Sequence, residues 1–277
     1  MCAGWLVLSL IYSKAHAGHD RTRLFALAAV AAVFLGAALI LLRKPWTAQS
    51  FLSAGLAALI VFYVGLVLAM WTQHLAGPPP DKTSVTQMVV SMLSLQGATL
   101  ILVVFFLKDQ GMTWRDAFGL SNNTKRAILF GLLAAAIFLP VASNLKLLSE
   151  RGIEHFTHEP PIQQEAVQAI QTTSLWSYRV LLGIFTLVLA PLGEEVLFRG
   201  VLYSTIKQAG FPRIAFALSS IAFAAIHMNA GTFVPLLLLA MLLAWLYNKT
   251  DNLLAPITTH AAFNTAGFIY ILIHGNG

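Results

Sequence analysis

Charge is what this chain has least of. Asp, Glu, Lys and Arg make up only 10% of its 277 residues, where soluble domains carry roughly a quarter. With 58% hydrophobic residues and a mean hydropathy of +0.76, the sequence predicts an integral membrane protein. Cysteine is almost absent. The single Cys2 excludes an intrachain disulfide and a cysteine-based metal cluster, and at the extreme N-terminus it has no evident partner to make it a nucleophile. Neither Gly-x-Gly-x-x-Gly nor Gly-x-x-x-x-Gly-Lys occurs, so no glycine-rich loop is present to cradle the phosphates of ATP. His-Glu-x-x-His, the helical zinc motif of many metalloproteases, is missing too.

The 17 basic residues outnumber the 11 acidic ones, giving a net charge of +6. They stand singly or in pairs between apolar runs instead of gathering on one face. That spacing argues against a nucleic-acid partner and for a lipid bilayer, where Lys and Arg anchor the ends of membrane spans. The expected location is an integral, multi-pass membrane protein, in the plasma membrane if the source is bacterial.

Apolar runs near the length needed to cross ~30 Å of hydrocarbon occur at Leu24–Leu42, Phe51–Trp71, Val85–Leu107 and Ala127–Leu147. A second group follows at Tyr178–Leu192, Phe211–His227, Thr232–Tyr247 and Leu253–Ile273. The expectation is an all-α, polytopic helical bundle of about eight transmembrane helices. Met1–Ser13 is apolar but too short for an ordinary span. Ser121-Asn122-Asn123-Thr124 is placed to cap the helix beginning near Lys125. Three regions follow: N-terminal membrane helices over 1–148, a polar connecting loop over 149–177, and a C-terminal core over 178–277.

The polar exceptions concentrate in that core. Gly193-Glu194-Glu195-Val196-Leu197-Phe198-Arg199-Gly200 follows the run Val180–Leu192, which contains no charge. A charged side chain in a membrane segment costs at least a few kcal/mol and marks a functional site by default. Glu195 and Arg199 are i, i+4 and would share a helical face, while Glu194 points about 100° away. Phe223-Ala224-Ala225-Ile226-His227 ends one apolar span with a histidine. His260-Ala261-Ala262-Phe263-Asn264 puts two polar residues at i, i+4 in another.

Bland readings exist for each. A Glu195–Arg199 pair is ordinary helix-to-helix glue, and a lone histidine in a span is often bonded to a backbone carbonyl. Glu194, His227, His260 and Asn264 nonetheless come from three segments and lack local charge partners. One shared polar cavity explains them jointly. Elsewhere, His155 and His158 lie in a polar stretch followed by Pro160 and read as solvated, as do His16 and His19.

Glu-Glu-x-x-x-Arg, then Phe-x-x-x-His, then His-x-x-x-Asn, in that order on successive apolar helices, resembles the CPBP (Abi) family. Those are the CAAX proteases and bacteriocin-processing enzymes related to the type II CAAX prenyl endopeptidase Rce1. The resemblance covers about Trp176 to Ile273 and makes 178–277 a CPBP-type protease core. It implies an intramembrane endopeptidase acting on a membrane-associated peptide or a lipidated protein. Glu194 would activate the hydrolytic water with help from His227. Glu195, Arg199 and Phe223 would support that arrangement, and His260 and Asn264 would stabilise the oxyanion of the tetrahedral intermediate. A zinc ion held by Glu194, His227 and His260 is the metallo version of the same site, but a glutamate-activated water needs no metal, and that is the version preferred. Two non-proteolytic readings fit the same residues: an inactive membrane scaffold or immunity protein, and a small proton-coupled transporter built on buried Glu and His. Neither substrate identity nor oligomeric state is written in the sequence.

Overall fold

The computed structural model describes residues 96–274 apart from 98, 102, 159–162, 174, 209 and 228. The runs Leu24–Leu42 and Phe51–Trp71, most of Val85–Leu107, and Cys2, His16 and His19 lie outside the described residues. Within them every regular element is a helix, and no strand occurs. The principal helices are α1 (Thr124–Thr157), α2 (Glu165–Thr172), α3 (Trp176–Gln208), α4 (Pro212–Ile226), α5 (Ala230–Thr250) and α6 (Leu254–His274).

Three of these are long and apolar enough to cross a bilayer: α1, α3 and α5, with mean hydropathies of 2.1, 1.9 and 2.0. The chain is an all-α membrane protein. As the sequence led us to expect, the helix before Glu194 runs on through the double glutamate, reaching Gln208. It does so irregularly. Phe185–Leu189 and Val196–Tyr203 are π-helical, with the α-helical turn Ala190–Glu195 between them. One expectation needs correcting: much of the stretch read as a polar loop over 149–177 is helix. α1 continues through Thr157, where Leu, Lys, Glu and Arg favour helix and Lys146 pairs with Glu150 at 3.7 Å. α2 takes up eight residues of the remainder.

By backbone proximity the chain divides into two compact units. The first takes 140–162 and 198–245 of the described residues, and the second takes those up to 139, 163–197 and 246–274. In the first unit, Phe198, Ile206, Phe223, Leu239 and Leu243 are fully buried. Gly231, at the start of α5, lies beside the Glu150 and Ile153 side chains of α1.

In the second unit, Leu182 and Phe185 of α3 are buried with Ala169 and Ile170 of α2, and Phe268, Ile271 and Leu272 of α6 pack on them. α6 is also pressed against α1. A Cβ at Gly131 would stand 2.6 Å from the Ala255 carbonyl oxygen, so only glycine permits this approach. Thr259 shares its hydroxyl between the Gly131 carbonyl at 2.9 Å and the Ala255 carbonyl at 3.0 Å. The turns that start the two helices are clasped together. Asn252 donates to the Asn122 carbonyl at 2.7 Å, Asn122 donates to the Asp251 carbonyl at 3.2 Å, and the Leu253 N–H donates to the Phe118 carbonyl at 3.0 Å. The side chain of Asn122 therefore reaches across to this second turn.

Candidate active site

Two adjacent glutamates bracket one histidine. Glu195 Oε1 lies 2.9 Å from His260 Nδ1, and Glu194 Oε2 lies 3.9 Å from His260 Nε2. The first is a hydrogen bond, in which the ring N–H donates to the carboxylate; the second is beyond hydrogen-bonding range. Glu195 is fully buried, whereas the Glu194 side chain keeps 17% exposure. Of the two carboxylates, Glu194 is the one the protein does not fully enclose. Its Oε2 is itself buried and has no hydrogen-bond partner among the described residues.

A carboxylate on Nδ1 fixes both the tautomer and the plane of an imidazole. In neutral His260 the proton then sits on Nδ1, and Nε2 turns its lone pair toward Glu194. The sequence matches Glu195 with Arg199 by the i, i+4 rule; the bond to His260, 65 positions away, is not visible in that spacing.

Asn264, one turn beyond His260 on α6, donates from Nδ2 to the Thr186 carbonyl at 2.8 Å. His260 and Asn264 thus meet α3 at Glu195 and Thr186 respectively. Rising residue numbers on one helix match falling numbers on the other, so α6 and α3 pack antiparallel along this face. Glu194, Glu195, His260 and Asn264 all belong to the second unit. The sequence singled out all four, and the structure brings Glu194, Glu195 and His260 together.

The remaining candidates belong to the first unit, where Phe223 is the centre of a cluster. The Arg199 guanidinium carbon lies 4.6 Å from the Phe223 ring centroid, and Phe198 meets that ring edge-on at 5.3 Å. Arg199 is fully buried and donates to the Ala240 carbonyl of α5 at 3.0 Å. His227 closes α4, with its ring 5.0 Å from that of Phe223. Its Nδ1–H donates to the Phe223 carbonyl at 2.8 Å, which in the neutral ring leaves the lone pair on Nε2.

A catalytic zinc takes three protein donors and keeps one position open. Glu194 and His260 supply one oxygen and one nitrogen. No group of three or more His, Cys, Asp and Glu able to hold a metal occurs among the described residues.

With this geometry in view, the comparisons with known proteins become specific. Residues 175–266 match the family model described as Rce1-like, type II CAAX prenyl endopeptidase Rce1-like. That interval contains Glu194, Glu195, Arg199, Phe223, His227, His260 and Asn264. The UPF0177 protein YxdF of Lactococcus lactis subsp. lactis (strain IL1403) is 26% identical over 176 residues, covering 61% of this chain and 90% of that protein. No solved structure matches. Over residues 175–266, a third of its length, the chain is therefore similar to the Rce1-like endopeptidase family.

Proposed function

We infer that this protein is an intramembrane endopeptidase that hydrolyses a peptide bond in a membrane-associated peptide or lipidated protein, using a water activated by Glu194. One observation carries the reading: His260 stands between two neighbouring carboxylates, hydrogen-bonded to the buried one and 3.9 Å from the partly exposed one. Glu194 takes a proton from that water, and the hydroxide adds to the scissile carbonyl carbon. Asn264, through the amide N–H it does not give to Thr186, is a donor for the resulting oxyanion, a contribution worth about 3–4 kcal/mol in comparable sites; His260 adds to it only with Nε2 protonated as well. The proton held by Glu194 passes to the leaving amine nitrogen as the C–N bond breaks, and the carboxylate is restored. His227 enters the reading through the family motif alone.

We also read the chain as multi-pass. The clasp between the turns before α1 and α6 puts the starts of both helices at one level, so an even number of crossings separates them. α1, α3 and α5 are three, and the shorter α4 supplies a fourth. Cysteine-accessibility labelling of the turns at Asn122 and Asn252 tests this: protection on opposite faces of the membrane would overturn it.

The test of activity uses purified protein in liposomes with a membrane-anchored fluorogenic peptide. Wild type is expected to cleave it and Glu194→Gln to lose turnover. His227→Ala in the same assay tests the motif-based role of that residue. Equal turnover in wild type and Glu194→Gln would remove Glu194 from the mechanism. Flux of a solute without cleavage would favour a transporter.

A further inference from the structure

The hydrogen bond that holds Asn264 exists because α3 has a carbonyl its own backbone leaves without a donor. In an α-helix the Thr186 carbonyl would accept from the N–H of residue 190, and in a π-helix from that of residue 191. The Ala190 N–H goes instead to the Phe185 carbonyl, closing the π turn. Residue 191 is proline, buried in the helix, and has no N–H to give. Both regular donors are therefore lost at one place. A part-buried carbonyl in that position costs free energy unless something else reaches it, and Asn264 Nδ2 does so at 2.8 Å.

We propose that Pro191 and the π turn Phe185–Leu189 form a positioning device for Asn264. They keep the Thr186 carbonyl open as the anchor that fixes the Asn264 amide. The device lies one helical turn of α6 from His260, so the same anchor sets the height of that helix against Glu194 and Glu195. Pro191 touches no reacting atom in this scheme, and it acts entirely through a hydrogen bond it cannot make. The Thr186 side chain is not the anchor. Its role is confined to the backbone oxygen, so Thr186→Val leaves the device intact.

Any residue other than proline at 191 restores an N–H that can close onto the Thr186 carbonyl in the π register. Asn264 is then displaced. The anchoring part of this inference is independent of chemistry, whereas its consequence for turnover rests on the peptidase reading above.

The experiment is a double-mutant cycle on unfolding of the full chain in detergent, comparing Asn264→Ala in the wild-type and Pro191→Ala backgrounds. In wild type, Asn264→Ala is expected to raise the unfolding constant about tenfold, as for loss of one part-buried hydrogen bond. In Pro191→Ala the same change is expected to have under about a third of that effect. Pro191→Ser restores the same N–H and replaces Pro191→Ala should the latter not fold. Equal effects in the two backgrounds would overturn the proposal, whatever the activity. Where wild type cleaves peptide, Pro191→Ala should lower kcat with KM little changed. A wild type without peptidase activity but with a coupled cycle would refute the peptidase reading and leave the anchor standing.

Discussion

Glu195 and His260, 65 positions apart in sequence, meet at 2.9 Å with neither side chain open to solvent. The contact joins the middle of α3 to α6 and turns the histidine ring so that its other nitrogen faces Glu194. Glu195→Ala strands the ring N–H without this acceptor and is expected to destabilise the protein by about 1–3 kcal/mol. Glu195→Gln retains an acceptor oxygen and should recover most of that loss. Chemical unfolding in detergent measures both, and equal losses would show that the hydrogen bond is not what Glu195 contributes.

Glu194→Gln keeps the shape of the side chain and removes the base. Peptide turnover is expected to fall by about 10²–10⁴-fold, the usual worth of a positioned acid–base group. The melting temperature should stay near that of wild type, because Glu194 Oε2 makes no hydrogen bond among the described residues. Activity loss accompanied by a large drop in stability would move Glu194 from chemistry to architecture.

Chelation offers a separate check. With two donors at Glu194 and His260 and no metal-holding group of three among the described residues, activity is expected to survive dialysis against a strong zinc chelator. Stoichiometric zinc in the purified protein, lost in parallel with activity and restored by adding the ion, would show that a third donor completes the site.

The close approach of α1 and α6 rests on a missing methyl group. Gly131→Ala places a Cβ 2.6 Å from the Ala255 carbonyl oxygen and 2.9 Å from the Thr258 Cβ, neither of which is a loose end. The expected cost is about 1–3 kcal/mol. Gly152, in the same helix, has open space around the corresponding position. Gly152→Ala should be neutral or stabilise by about 0.5–1 kcal/mol. Comparable melting temperatures for the two variants would count against the packing described.

Arg199 differs from a generic buried cation because of its flat face over Phe223. Arg199→Lys keeps the charge and loses that stacking, with an expected penalty of about 1–2 kcal/mol. The effect should shrink when Phe223 is already Leu, since the two side chains act as a pair. Additive losses in the combined variant would mean that the stacking contributes nothing.

Much of this architecture is legible from apolar runs and three short motifs. Glu194, Glu195, His260 and Asn264 announce themselves because polar side chains in greasy helices are rare, and α4 to α6 follow their hydrophobic stretches closely. Less visible are the π segments of α3. Hydrophobic periodicity is blind to the difference between i→i+4 and i→i+5 bonding, and the partnership of Glu195 with His260 could not be read from spacing on one helix. Pro191 was a usable signal, because a proline inside an apolar helix must leave a carbonyl without its usual donor. The helical end of α1, through Thr157, was masked by its polarity, since composition marks exposure and not backbone conformation.

The clasp of Asn252 on Asn122 and of Thr259 on Gly131 spans 130 and 128 residues of sequence. Contacts of that separation repay loop closure only after most of the intervening chain exists. As synthesis proceeds, α1 and α3 enter the membrane with Gly131 bare, the Thr186 carbonyl without its anchor and the Glu195 carboxylate without its ring. The arrival of α6 resolves all three together. The nascent protein therefore carries its glutamates in an incomplete site until its last described helix docks, and a fragment ending before α6 contains the motif without the machinery.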